Sequence, residues 1–334
     1  MTGPSPAVAA TRVAVRATLS ELSGSGGLVL VACSGGADSL ALAAAAAFEA
    51  PRAGMRAGAV VVDHGLQPGS DAVAREAAAT CADLGLDPVV RVRIEVAPTD
   101  AGGPEAAARD ARYTAVTDAA ATHDAVAVLL GHTRHDQAEQ VLLGLARGSG
   151  TRSLAGMPSA RGLFRRPLLD LPAQTTRQAC EDLGLTPWQD PHNDDDRYLR
   201  VRARKLMATL EAELGPGVVA ALARSAALAR IDADALDALA ENAIAELGEP
   251  PWEVAEFAAL HDAIRGRVWR LLARDAGVPL GSLSHRHVAE ADRLLTDYRG
   301  QGPISWPGGH EVARRGRAVV VVPPVAACDP APFD

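Results

Sequence analysis

Apolar residues in the first half of the chain gather into four short runs rich in β-branched side chains: GLVLVA (27–32), AGAVVVD (57–63), PVVRVRIEV (88–96) and AVAVLLG (125–131). Runs of this length, punctuated by glycine, proline and acidic residues, read as strands. Between them the composition turns helical: 37–50 is dense in alanine, 70–84 opens at Ser70 as a candidate N-cap, and 104–122 carries Pro104 and Glu105 in its first turn. The alternation predicts βαβ units, hence an α/β fold with a doubly wound parallel sheet and a ligand site at the carboxyl ends of its strands.

Beyond about residue 165 the pattern changes to a mixture of helix, proline-containing polar loop and basic helix start. We place the edge of the first domain at residue 210, with 211–334 as a smaller region. Apolar residues spaced three and four apart over 216–247 and 253–276 predict a helical hairpin, LSHRHVAEADRLL adds a helix, and GPISWPGGHEVARRGRAVVVV predicts a C-terminal β-hairpin or meander.

Composition narrows the classes of function. The 334 residues are 48% hydrophobic and 3% aromatic, and 33 basic against 41 acidic residues give a net charge of −8. A nucleic acid would therefore have to be held by a local basic patch, and RYLRVRARK (197–205) supplies one with Arg197, Arg200, Arg202, Arg204 and Lys205. The same run could equally be a solvated face pairing with the acids at 194–196. ARRGR (313–317) is a second, weaker patch.

Cys33, Cys81, Cys180 and Cys328 are scattered, with no C-x-x-C pair, and read as buried free thiols. Arg12 and Arg16 interrupt the N-terminal apolar stretch and no run reaches membrane-spanning length, so a soluble, cytoplasmic protein without a membrane partner is expected. Lys205 is the one lysine, which excludes a Walker A loop.

The first strand runs into VACSGGADSLAL (31–42). Gly35 and Gly36, between strand and helix, bring free N–H groups and the positive end of a helix dipole to one point suited to phosphate, and Ser34 and Ser39 flank it with hydroxyls. Asp38 at the same place repels phosphate unless a cation bridges them, which points to Mg²⁺ carried with ATP. Alternatively Asp38 only complements its own helix dipole, worth ~0.3–1 kcal/mol.

The S-G-G-x-D-S stretch resembles the pyrophosphatase loop of the PP-loop ATP pyrophosphatases. Five further blocks, VVDHGLQPGSD (61–71), EAAARDARYTA (105–115), GHTRHDQAEQVLLGLARGSGTRSLAGM (131–157), RRPLL (165–169) and DPHNDDDRYLRVRAR (190–204), occur in the order and spacing of tRNA(Ile)-lysidine synthases. The resemblance spans roughly residues 27–210. It implies a catalytic domain over 1–210 and a tRNA-binding region over 211–334. It also implies a ligase that adenylates C2 of the wobble cytidine in the CAU anticodon of tRNA(Ile) and displaces AMP with L-lysine.

The resemblance further implies that Asp38, Asp136, Glu139 and Arg200 are catalytic. By the same resemblance Ser34, Gly35, Gly36, Asp38 and Ser39 would bind the nucleotide and Arg109 and Arg112 would reach substrate or tRNA. His64 and His132, just past strand ends, are read from position as further nucleotide donors, and Arg197, Arg202, Arg204 and Lys205, from the basic run, as tRNA contacts. Asp136 and Glu139, three apart, share one face if their segment is helical and could hold the lysine amine and take its proton; a solvated acidic face is the alternative.

Two positions depart from the family pattern. His135 stands where a second acid usually precedes Gln137, and Val201 replaces an asparagine between two arginines. Rival readings are a tRNA 2-thiolase, which needs catalytic cysteines, an ATP-dependent enzyme with another acceptor, and a non-catalytic nucleotide- or tRNA-binding paralogue. The oligomeric state, a homodimer included, is left open.

Overall fold

The chain was analysed as a computed structural model that describes residues 3–22, 26–63, 65, 69–94, 103–148, 150–189, 197 and 199–324. His64, the acids at 194–196 and Cys328 lie outside the described residues. The chain divides into two compact units, residues 1–227 and 228–334. Among the described residues no single helix is long and apolar enough to cross a membrane.

In the first unit the four apolar runs become β1 (Gly27–Ala32), β2 (Met55–Asp63), β3 (Val89–Arg93) and β4 (Ala125–Leu130). They pair in parallel in the order β3-β2-β1-β4; β6 (Phe164–Arg165) continues the sheet in parallel beside β4, and β5 (Ala160–Arg161) closes it antiparallel. Alternate side chains serve opposite faces. Val29 and Val31 pack with α1 (Pro6–Leu22), α2 (Ala37–Glu49), α3 (Ser70–Asp83) and α7 (Ala173–Asp182), while Leu28 and Leu30 pack with α4 (Gly103–Thr122). Burial on both faces explains why β1 and β4 read as unbroken apolar runs, while β3 at the sheet edge alternates with the exposed Arg91 and Arg93.

The alanines of α2 are buried from Ala41 to Ala46, and their small side chains let this helix sit between α1, α7 and the sheet. Ser70 is the first residue of α3 and not its cap. The cap is Gly69, whose φ of 86° makes the left-handed turn that a serine adopts poorly. After β4 come α5 (Arg134–Ala146), α6 (Gly150–Leu154) and, beyond α7, α8 (Leu199–Leu214). Ala138 of α5 meets Met207 of α8 and Val219 in a small apolar cluster.

Helix α9 (Val218–Leu247) runs from the first unit into the second. The expected return helix over 253–276 is broken into β7 (Trp252–Glu253), α10 (Val254–Ala259) and α11 (Asp262–Asp275). Leu260 and His261 are extended, and the His261 ring accepts the Ala263 N–H at 3.2 Å to start α11. Helix α12 (His285–Thr296) opens with a capping box at Ser284. The expected meander is β8 (Ile304–Trp306), β9 (His310–Arg315) and β10 (Ala318–Val322), to which β7 adds a fourth strand. Phe257, Trp269 and Trp306 form the aromatic centre of this unit's core.

Candidate active site at the carboxyl ends of β1 and β4

Because β2 and β4 flank β1, the strand order reverses there, and the turns leaving β1 and β4 open the crevice where doubly wound sheets bind ligands. In the first turn Gly35 has φ 83°, and a Cβ at that position would lie 3.3 Å from the Ala77 Cβ, so glycine is required both for conformation and for closeness to α3. Gly36 caps α2 without any side-chain hydrogen bond, which leaves the first-turn N–H groups of α2 without a side-chain acceptor. Ser39 is buried and holds the turn together: its Oγ donates to Gly36 O at 2.9 Å and accepts Ser34 N–H at 3.2 Å. Ser34 is exposed, and its hydroxyl shares a 3.3 Å hydrogen bond with Ser39 Oγ.

Asp38 faces α7, where Thr176, fully buried, donates to its Oδ1. Burial raises the Asp38 pKa; the Thr176 hydrogen bond opposes this and the negative charge of Asp136 adds to it. Sequence reasoning did not find Thr176, which is 138 positions away in the chain.

The second turn approaches just as closely. A Cβ on Gly131 would lie 3.0 Å from the Asp38 carbonyl carbon and 3.1 Å from Ser39 N, so the end of β4 rests on the first turn of α2. Thr133 caps α5 in a capping box with Asp136, whose Oδ2 accepts Thr133 N–H at 2.7 Å. One turn on, Glu139 is buried and accepts from Arg204 Nε of α8 at 2.9 Å. Burial raises the Glu139 pKa against the attraction of Arg204. Burial works against the Arg204 guanidinium, but Glu139 outweighs it and the pKa of Arg204 rises. Asp136, Glu139 and Arg200 line one small pocket with Gln140, Leu143 and Met157.

His132 stands among arginines. Its Nδ1 is enclosed without a partner, and burial lowers its pKa to about 4; Asp136 pulls upward, while Arg166, Arg200 and Arg109 push further down. The imidazole is therefore neutral at ordinary pH. Burial also lowers the pKa of Arg109 and of Arg112, with Arg200 adding to both.

The structure thus brings together Ser34, Gly35, Gly36, Asp38, Ser39, His132, Asp136, Glu139, Arg200, Arg204, Arg109 and, at the exposed rim, Arg112. Arg197, Arg202 and Lys205 are exposed on and before α8. In the second unit Arg314 is tied back, its Nη1 on Leu294 O at 2.7 Å and its guanidinium over Tyr298, while Arg315 and Arg317 are exposed. Gly131, Thr176 and Arg166 are the additions that sequence did not single out. Cys33, Cys81 and Cys180 are buried and unoxidised, and among the described residues no cluster of three or more His, Cys, Asp or Glu side chains encloses a metal position.

Comparison with known proteins places this geometry. Residues 12–210 match the PP-loop domain family and 253–319 the TilS substrate binding domain. A tRNA(Ile)-lysidine synthase of Thermobifida fusca (strain YX) is 54% identical over 320 residues, covering 95% of this chain and 97% of the relative. That of Streptomyces coelicolor (strain ATCC BAA-471 / A3(2) / M145) is 52% identical over 350 residues, with 96% and 99% covered. The chain belongs to the tRNA(Ile)-lysidine synthase family. A U34-tRNA thiolase from Methanococcus maripaludis, 18% identical with a TM-score of 0.53 over 65% of this chain and 77% of that one, shares the fold.

Within this lysidine synthase family member the two departures have visible structural settings. His135 Nδ1 accepts Ala173 N–H at 3.2 Å at the start of α7, which Pro172 cannot cap through a side chain. Burial and then Arg177 lower its pKa, so a neutral ring nitrogen fills an acceptor position that a carboxylate could also fill. Val201 is buried on α8, where no polar partner is needed.

Proposed function

We propose that this chain ligates L-lysine to C2 of the wobble cytidine in the CAU-anticodon tRNA(Ile), with ATP cleaved to AMP and pyrophosphate. The observation that carries the reading is the meeting, in one crevice, of an uncapped helix start, two carboxylates and a group of arginines. In the first step the cytidine C2 oxygen attacks the α-phosphorus of ATP, the α–β P–O bond breaks and pyrophosphate leaves. The first-turn N–H groups of α2 and the Ser34 hydroxyl receive the departing phosphates, and Arg200 offsets the charge on the phosphoryl group. In the second step the lysine ε-amine attacks C2 and the C2–O bond breaks, releasing AMP.

An ε-ammonium of pKa about 10.4 must first lose a proton, and Glu139, made more basic by burial, is the acceptor. Asp136 holds the amine beside it. For Mg²⁺ Asp38 would be the protein donor: one of its oxygens is engaged by Thr176 and the other has no protein donor among the described residues. Together with the phosphates of ATP it would hold the ion, which would supply neutralisation of phosphate charge.

Residues 1–210 carry the chemistry in this proposal and 211–334 grip the tRNA, with Arg315 and Arg317 as contacts; Arg197, Arg202 and Lys205 extend the RNA surface from α8. A cytoplasmic location follows from the substrates.

The test is incorporation of labelled lysine into a transcript of the CAU-anticodon tRNA(Ile) with ATP and Mg²⁺. Incorporation by the natural chain, lost in Asp38→Ala, is expected. None from the natural chain, with recovery in His135→Asp, would identify a decayed enzyme, and none in any variant defeats the assignment.

A further inference from the structure

Arg166, in the RRPLL block, is assigned no role by the reaction outlined above. It directly follows β6 and is only 7% exposed. Its backbone N–H donates to Ser159 O at 2.8 Å and one arm, Nη1, donates to Pro158 O at 2.9 Å, which fixes the group in place. Its Nε is enclosed without an acceptor, as is the Nδ1 of His132 beside it. A buried guanidinium normally has carboxylates or several carbonyls around it, since an unpaired buried N–H costs about 1–3 kcal/mol. Here most neighbouring charges are of the same sign: Arg166 and Arg200 both bear on His132 and on Arg109, and Arg109 and Arg200 on Arg112, with Asp136 opposing at His132 and Asp110 at Arg109.

Packing holds this like-charged group together. Tyr113, one turn beyond Arg109 on α4, meets Phe164 of β6 edge to face at 5.0 Å, and the Arg109 guanidinium lies 5.2 Å from the Tyr113 ring. The aromatic pair therefore brings Arg109 and Arg166 to the same end of β4. None of Arg109, Arg112, Arg166 and Arg200 forms an ion pair with a carboxylate among the described residues. A cationic group built this way is completed by an anion from outside, and the planar fork of arginine matches phosphate oxygens in pairs.

We propose that Arg166, together with Arg109 and Arg112, seats a phosphate group: a phosphodiester of the anticodon strand or a phosphate of ATP. The proposal rests on the lysidine synthase reading and adds to it a binding residue.

The full-length chain and its Arg166→Gln and Arg166→Lys variants are compared in three measurements. These are anisotropy titration of a labelled CAU anticodon stem-loop RNA at several salt concentrations, calorimetric titration with ATP and Mg²⁺, and thermal melting. Arg166→Gln weakens one of the two ligands by about ten- to a hundredfold, the worth of a charge-assisted hydrogen bond, and Arg166→Lys restores part of it. If the phosphate belongs to RNA, the slope of log affinity against log salt falls by about one and ATP binding is unchanged. If it belongs to ATP, the RNA titration is unchanged.

Unaltered affinity for both ligands, or loss of both in step with a lowered melting temperature, overturns the proposal and leaves Arg166 as a tie to Pro158. A natural chain that binds neither ligand overturns the underlying functional reading as well.

Discussion

Two arginines, one in each unit, are buried to nearly the same depth and live in opposite surroundings. Arg265, 6% exposed on α11, has Nε on Asp292 Oδ1 at 2.6 Å and Nη2 on both Asp292 and Asp262 at 2.9 Å, while its Nη1 donates to Leu260 O at 2.9 Å. Asp292 also accepts from Trp269 Nε1, so the network fastens α11 to α12. Arg166, 7% exposed, has one side-chain hydrogen bond and an enclosed Nε without any. A guanidinium that finds its carboxylates inside the protein holds the fold. One that finds a single carbonyl and other guanidiniums keeps hydrogen-bonding capacity for the ligand proposed above.

The largest effect that would sharpen this contrast is on stability. Arg265→Ala removes one partner of a buried ion pair and should cost about 3–5 kcal/mol in chemical denaturation of the full chain. Arg166→Gln, at equal depth, should cost about 1 kcal/mol. Equal losses in the two variants would break the comparison.

The next effect concerns acid. In the unfolded chain His132 takes up its proton near pH 6.5, whereas in the folded protein it does so at about 4. Its contribution is complete above the first value and is lost as pH falls toward the second, a span of about 3 kcal/mol. Melting temperature followed from pH 7 to pH 4 should therefore drop more steeply in the natural chain than in His132→Asn. Parallel curves would show that burial does not hold this ring neutral in the folded protein.

The smallest effect is local. Thr176→Val keeps the shape of the side chain but strips Asp38 of its donor, and the rate of lysine incorporation should fall about tenfold, worth ~1.4 kcal/mol, while Thr176→Ser retains it. A Ser variant as impaired as Val would mean that the methyl packing of Thr176 matters and its hydroxyl does not.

What could be read in advance follows the range of the interactions. The central strands were legible because two-sided burial makes them continuous apolar runs, and the glycine turn after β1 because its residues are consecutive. Asp136 and Glu139 were legible because helical spacing alone puts them on one face. Helix α1 was legible too and was passed over: Val8, Thr11, Val15 and Leu19 recur at helical intervals and are all buried. The break at Leu260 and His261 was not legible, since neither residue is a glycine or proline and the stop is made by extended backbone and a histidine cap. Thr176, Gly131 and Arg166 take their meaning from partners distant in sequence. Arg204, expected to face RNA, is paired with Glu139 instead.

The touch between Gly131 and the first turn of α2 has a consequence for inheritance. Main-chain groups are the same whatever the codon, so the proposed phosphate seat on the helix N–H groups is open to change only at the residues that shape the two turns, Gly35, Ser39 and Gly131. The ring of arginines is the reverse, each member exchangeable by a single codon change. In the proposed reading, substitutions among those arginines alter what the crevice accepts while the two turns keep the seat for the nucleotide.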